Sequence, residues 1–185
     1  MNIKLFGIAL TISAMSAISA QAQNTVTVGG EAMYPAKNIV ENAVNSKDHT
    51  TLVAAVQAAG LVDALKGAGP FTVFAPVNDA FENLPAGTVE TLLKPENKAL
   101  LTKILTYHVV SGKMDFETIA AAIKKGNGSA TVTTLAGGKL VAKMNGAHNI
   151  TITDENGATA NITTYDVYQK NGVIHVIDRV VTPKM

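Results

Sequence analysis

"FTVFAPVNDAF", Phe71 to Phe81, decides how the chain is read. An apolar run stops at Pro76, and Asn78-Asp79 follows at once. The pair is either a reactive site or the point where a strand becomes a helix. Thr72 and Phe74 belong to a run that reads as a buried strand. Proline has no N–H and cannot continue a central ladder, so the strand stops there. Asn78 is placed to cap a helix, with Asp79 and Glu82 in its positively polarised first turn. Phe81 then pins the turn into the core. Every residue of the stretch has a structural task, and the strand-to-helix reading is favoured.

Before this stretch the spacing is helical. Pro35 can open a helix with Ile39, Val40, Ala43 and Val44 on one face. A second begins near Asp48 or Thr50, turns Leu52, Val53, Val56 and Ala59 inward, and stops at Gly60. Leu61, Val62 and Leu65 make one further turn before the Gly67-Ala68-Gly69-Pro70 breaker. After the stretch, Thr88 can cap a short helix, and Pro95 can open one carrying Leu100, Leu101, Ile104 and Leu105. Asp115 caps a further helix, with Phe116, Ile119, Ala120 and Ile123 on one face and Lys124-Lys125 at its negative end.

From Ser129 onward the period becomes two. Leu140, Ala142 and Met144, then Ile150 and Ile152, then Ala160 and Ile162 alternate with polar neighbours. Gly137-Gly138, Asn145-Gly146, Asn156-Gly157 and Asn171-Gly172 supply hairpin turns. "GVIHVID", Gly172 to Asp178, is apolar on both faces and reads as a central strand covered by helices on one side. The fold class is α+β, with mostly antiparallel sheets and helices packed on them.

The start of the chain has the form of an export leader. "MNIK" is followed by the apolar "LFGIALTISAMSAISA" and the small-x-small pattern Ala20-Gln21-Ala22. Residues 1–22 are expected to be removed. A short polar arm over 23–33 and one domain over 34–185 would remain, secreted or periplasmic, with no transmembrane anchor. The chain has no cysteine, and its 15 basic and 14 acidic residues balance once Lys4 is lost with the leader. The single arginine is Arg179 and no basic cluster forms, which argues against nucleic acid and anionic membranes as partners.

Three segments together carry a resemblance. "TVFAPVNDAF" is similar to the first signature of fasciclin (FAS1) domains, and "NGVIHVIDRVVTP" (Asn171 to Pro183) to the second. "TYHVVSGKM" between them holds the Tyr107-His108 pair typical of these domains. The resemblance covers Tyr34 to Pro183 and points to the single-domain bacterial secreted type. It implies a wedge of two β-sheets overlaid by helices, an extracellular or periplasmic adhesion role, and no shared catalytic activity. Gly172, His175 and Asp178, with the first-signature residues and His108, are expected to serve the scaffold. Animal members are proposed to engage integrins near the Tyr-His pair and an Asp-Ile element. The matching positions here, Tyr107, His108, Asp166 and Val167, are the candidate partner-binding residues.

Chemistry-bearing patterns are sparse. The histidines His49, His108, His148 and His175 lack the close spacing of a zinc site. His108 and His175 sit in apolar segments and read as neutral, hydrogen-bonded core groups. His108 is expected to bond the Asn78-Asp79 turn. No serine lies in a Gly-x-Ser-x-Gly elbow, and Asp154-Glu155-Asn156-Gly157 reads as a hairpin turn rather than a calcium loop. No metal, cofactor or catalytic residue is expected. The sequence therefore supports a non-catalytic exported module that binds a protein or carbohydrate at a cell surface or matrix. The alternative is a carrier of a small apolar ligand, which the resemblance to pigment-binding fasciclin proteins suggests.

Overall fold

The computed structural model describes residues 25–184, so the expected leader, residues 1–22, lies outside them. The expected polar arm begins in a β-hairpin, β1 (Val26–Val28) with β2 (Glu31–Met33). Gly29 and Gly30 join the two with φ of 61° and 77°. The type I′ form of the two-residue hairpin turn needs positive φ at both central positions, which glycine supplies without strain. Val28 and Met33 are buried, so the arm is part of the core.

Helix α1 (Ile39–Ala43) starts later than the expected Pro35, because Asn38 closes a capping box. Asn38 Oδ1 accepts from the Glu41 N–H at 2.9 Å, and Glu41 Oε2 accepts from the Asn38 N–H at 2.8 Å. A 3₁₀ turn, Lys47–His49, leads into α2 (Thr50–Ala59), which ends on Gly60 as expected. Then come α3 (Val62–Lys66), β3 (Phe71–Pro76), α4 (Asn78–Glu82) and α5 (Thr88–Leu92). A second 3₁₀ turn, Pro95–Asn97, precedes α6 (Lys98–Tyr107) and β4 (Val109–Ser111). Helix α7 (Phe116–Lys125) is capped by Asp115, which accepts from the Thr118 N–H at 3.1 Å. The remaining strands are β5 (Ala130–Thr133), β6 (Lys139–Met144), β7 (Ile150–Thr153), β8 (Thr159–Gln169) and β9 (Gly172–Ile177).

The larger sheet has the order β4-β3-β9-β8-β7-β6-β5, antiparallel except where β3 runs parallel to β9. The two halves of the wedge share the long strand β8, whose ladder to β9 is irregular between Ile162 and Val167. The sheet folds over until its edges meet, through a bridge between Val110 and Thr134 and a 2.7 Å bond from the Leu135 N–H to the Val109 carbonyl. The largest apolar cluster, with Phe74, Tyr107, Ile119, Leu140 and Ile177, fills the interior. Val73, Ala75, Ile174 and Val176 alternate to the other face of β3 and β9, where the hairpin and α1 cover them. Strand β9 is therefore buried on both sides, as "GVIHVI" requires.

Candidate functional site

The signature asparagines act as helix caps at a distance. Asn78 is the first residue of α4, yet its side chain does not cap that helix as the sequence suggests. Its Oδ1 accepts from the Thr51 N–H at 3.1 Å and from the Thr50 hydroxyl at 3.2 Å, and its Nδ2 donates to the Lys47 carbonyl at 2.9 Å. It thus closes the N-terminus of α2, whose own preceding residue, His49, makes no side-chain cap. Asn171 does the same from the second signature. Its Oδ1 accepts from the Ile39 N–H at 3.0 Å, opening α1, and its Nδ2 donates to the carbonyls of Leu65 and Gly67, both at 2.8 Å. Asp79 is exposed in the first turn of α4, and Phe81 packs beside Ala80, Ile104 and Val180.

The other signature residues also brace the scaffold. Thr72 Oγ1 donates to the Gly112 carbonyl at 2.7 Å and accepts from the Met114 N–H at 2.8 Å. Phe74 stacks on His175 with ring centroids 5.8 Å apart, and Pro76 closes β3 opposite Ile177. At Gly172, any Cβ would meet the Phe71 carbonyl of the neighbouring strand, so only glycine fits. Asp178 accepts from the Asn161 N–H at 2.8 Å and from its Nδ2 at 2.7 Å.

His108 does not reach the Asn78-Asp79 turn. Its Nδ1 lies 2.9 Å from the Ile104 carbonyl one helical turn back, and its Nε2 accepts from the Val181 N–H at 3.2 Å. His175 Nε2 lies 2.8 Å from the Met114 carbonyl, and its Nδ1 accepts from the Asp166 N–H at 3.4 Å. Both rings are buried and hydrogen-bonded at both nitrogens. Burial holds both below the ordinary imidazole range, with His108 pushed down to about 4. Among the described residues, no group of three or more His, Cys, Asp or Glu side chains could hold a metal ion.

The four candidate partner-binding residues are mostly interior. Tyr107, His108 and Val167 are 0 %, 3 % and 1 % exposed, so their side chains present no recognition surface. The Tyr107 hydroxyl donates to the Lys139 carbonyl at 2.6 Å and accepts from the Glu155 N–H at 3.1 Å, and burial raises its pKa to about 12. Asp166 alone is partly exposed. It sits at the β8 irregularity with φ of 55°, and its Oδ1 accepts from the Phe116 N–H at the start of α7 at 2.8 Å. Beside it the Lys113 ammonium lies over the Tyr168 ring, 4.4 Å from its centroid, and the Tyr168 hydroxyl approaches Asp115 at 3.4 Å. Hydrogen bonds from Thr118, and then the Lys113 charge, hold the Asp115 carboxyl low, while burial pushes the Tyr168 hydroxyl up.

A feature that the sequence reading did not locate lies on the opposite face of β3 and β9. A half-open cavity of about 310 Å³ separates the sheet from the hairpin and helices α1 to α3. Val28, Met33, Ile39, Val53 and Ile174 make its wall apolar, and Val44 and Leu135, about half exposed, also line it. His49 lines it too. Its spacing in the sequence carries no signal for this, because the wall is assembled from many elements far apart in the chain.

A fasciclin-domain profile matches residues 47–183. The chain belongs to the fasciclin domain family. It is 47% identical over 180 residues to protein sll1483 of Synechocystis, covering 97% of this chain and 92% of that one. It is 33% identical over 167 residues to the cell surface glycolipoprotein MPB83 of Mycobacterium bovis, covering 88% and 68%. Among solved structures, a FAS1 domain pair from the insect cell adhesion molecule Fasciclin I aligns with a TM-score of 0.57 at 23% identity. That alignment covers 69% of this chain and 42% of the other, and shows the fold. Domains of this family mediate adhesion and interaction, and no catalytic activity defines them.

Proposed function

We propose that the protein is a non-catalytic interaction module that works outside the cytoplasm, secreted or periplasmic once its leader is removed, and holds a protein or carbohydrate partner at a cell surface or matrix. The observation that carries this reading is the use of the signature polar groups. Asn78, Asn171, His108 and His175 spend their hydrogen-bonding capacity on the backbone of other elements, so these signature groups brace the scaffold and none of the four is free to act as an acid, base or nucleophile. The surface name of the mycobacterial relative supports the location. Of the expected recognition residues Asp166 alone is accessible, and Lys113, Asp115 and Tyr168 lie around it at the start of α7, a polar patch that would meet the partner. The test is a deletion strain of the source organism, compared with its parent for attachment, aggregation and matrix retention. Loss of one of these, restored by the wild-type gene, is expected; unchanged behaviour in all three overturns the reading.

A second reading, carriage of a small apolar ligand, is favoured by the apolar cavity beneath α1 and α2. Its volume lies at the lower end of the range for small-molecule sites, roughly 300–1,000 Å³. Protein purified from its native source should then release an apolar compound on solvent extraction. A preparation free of extractable mass and of visible or near-ultraviolet absorbance counts against it.

A further inference from the structure

The dipeptide Asn-Gly occurs four times in the chain, at Asn127, Asn145, Asn156 and Asn171. It is prone to attack by the backbone on its own side chain, because glycine has no Cβ to shield its nitrogen from the neighbouring amide carbon. The attack asks two things of the fold. The asparagine side chain must be free to turn toward the backbone, and the glycine N–H must not already be engaged.

Three of the four sites fail one or both conditions. Asn171 is 6 % exposed, and its side chain is held by the Ile39 N–H and by the carbonyls of Leu65 and Gly67. Asn156 donates through Nδ2 to the carbonyls of Thr182 and Pro183 at 3.0 and 3.3 Å, and the Gly157 N–H donates to the Asp154 carbonyl at 3.1 Å. Asn127 is exposed, but the Gly128 N–H donates to the Ile123 carbonyl at 2.9 Å in the turn that ends α7. Asn145 and Gly146 differ from all of these. Both are exposed in the loop between β6 and β7. The bond that closes this loop, from the Asn145 N–H to the Asn149 carbonyl at 2.7 Å, uses neither the Asn145 side chain nor the Gly146 N–H. Among the described residues neither group has a hydrogen-bond partner, so both conditions are met.

We propose that Asn145-Gly146 is a self-modification site, at which the folded chain converts asparagine to a mixture of isoaspartate and aspartate with water as the only co-reactant. The Gly146 nitrogen attacks Asn145 Cγ. The N–Cγ bond forms, the Cγ–Nδ2 bond breaks, and ammonia leaves with the proton that the Gly146 nitrogen gives up. Water then opens the five-membered imide at either carbonyl. Opening next to Cα leaves the main chain running through Cβ and Cγ, one methylene longer. Opening at Cγ leaves ordinary aspartate. Either product adds a negative charge to the loop. The lengthening stays in the loop, because the ladder beneath it is anchored. Ile150 is 1 % exposed and pairs with Met144, and its N–H donates to the Tyr165 hydroxyl at 2.7 Å.

The test is mass-spectrometric peptide mapping of the purified protein held at neutral pH in heavy-oxygen water, with electron-transfer fragmentation to tell isoaspartate from aspartate. Asn145 should convert about tenfold faster than Asn127, Asn156 or Asn171, the rate factor for about 1.4 kcal/mol, which is one hydrogen bond broken before attack. It should take up one heavy oxygen and give both products. In urea-denatured protein the four sites should convert at similar rates, because the selectivity is structural. Asn145→Gln cannot close a five-membered ring and should abolish the uptake at this position. The converted protein should keep the urea midpoint of the fresh protein. A lead by another site in the folded protein, equal rates at all four, or no conversion at Asn145 overturns the assignment. Aspartate without isoaspartate overturns the imide route, since direct hydrolysis of the side chain leaves the backbone unshifted. A lowered urea midpoint overturns the confinement of the change to the loop.

Discussion

The imidazole of His108, at the end of α6, accepts a hydrogen bond from the backbone N–H of Val181, 73 positions further along the chain, at 3.2 Å. The same ring bonds the Ile104 carbonyl through Nδ1. His108 thereby fastens the C-terminal segment to the helix layer, and it does so only with a neutral ring, because the acceptor Nε2 must stay unprotonated.

Stability should therefore fall in acid. His108 is held at about 4, below the ordinary imidazole value of 6.5. The unfolded chain binds the proton first, so the stabilisation is complete above about 6.5 and is lost progressively as pH falls toward about 4. The loss is on the order of 3 kcal/mol for this group. His49 and His175 are shifted the same way and add to it. Urea unfolding at a series of pH values measures this, and a flat profile between neutrality and mild acid would contradict it.

Asn78→Ala removes the cap on α2 and leaves the Thr51 N–H and Lys47 carbonyl to find water. A loss of about 1–2 kcal/mol is expected from chemical denaturation. Asn78→Asp keeps the acceptor but not the donor to Lys47, so it should fall between Ala and the unsubstituted protein. A silent Asn78→Ala would show that the signature asparagine has some other task.

Tyr107→Phe deletes a hydroxyl that bridges two strands' connections, at Lys139 and Glu155. Two partly buried backbone groups lose a partner, at a cost of roughly 1–2 kcal/mol. Attachment measured below the unfolding transition should be unaffected, because the ring is wholly interior. Loss of attachment with full stability would restore Tyr107 as a recognition residue.

Asp166→Asn separates structure from recognition at the one accessible candidate. Asparagine tolerates left-handed backbone as aspartate does, and its side-chain oxygen can still accept from the Phe116 N–H. Stability should change by less than about 0.5 kcal/mol. Weaker retention at the cell surface would place a partner on the Lys113, Asp115, Asp166 and Tyr168 patch; unchanged retention would remove that patch from the contact.

What the sequence determined by itself is local. Pro76 stops a strand, Gly60 ends α2, Asp115 opens α7, and the alternation from Ser129 sets which faces of β5 to β8 are buried, because each depends on neighbours within a few residues. The hairpin at Gly29-Gly30 and the capping box at Asn38-Glu41 were legible by the same rules, but the composition of the arm masked the first and Pro35 the second. Only the tertiary structure decided what the polar signature residues hold. Asn78 reaches a helix that precedes it, Asn171 reaches α1 and α3, and His108 reaches the C-terminal tail. A side chain capable of capping its own helix carries no mark in its spacing that a distant N–H will claim it instead. The cavity is hidden for the same reason: its wall exists only where the hairpin, three helices and one face of the sheet converge, and His49 joins it from a turn that no periodicity assigns inward.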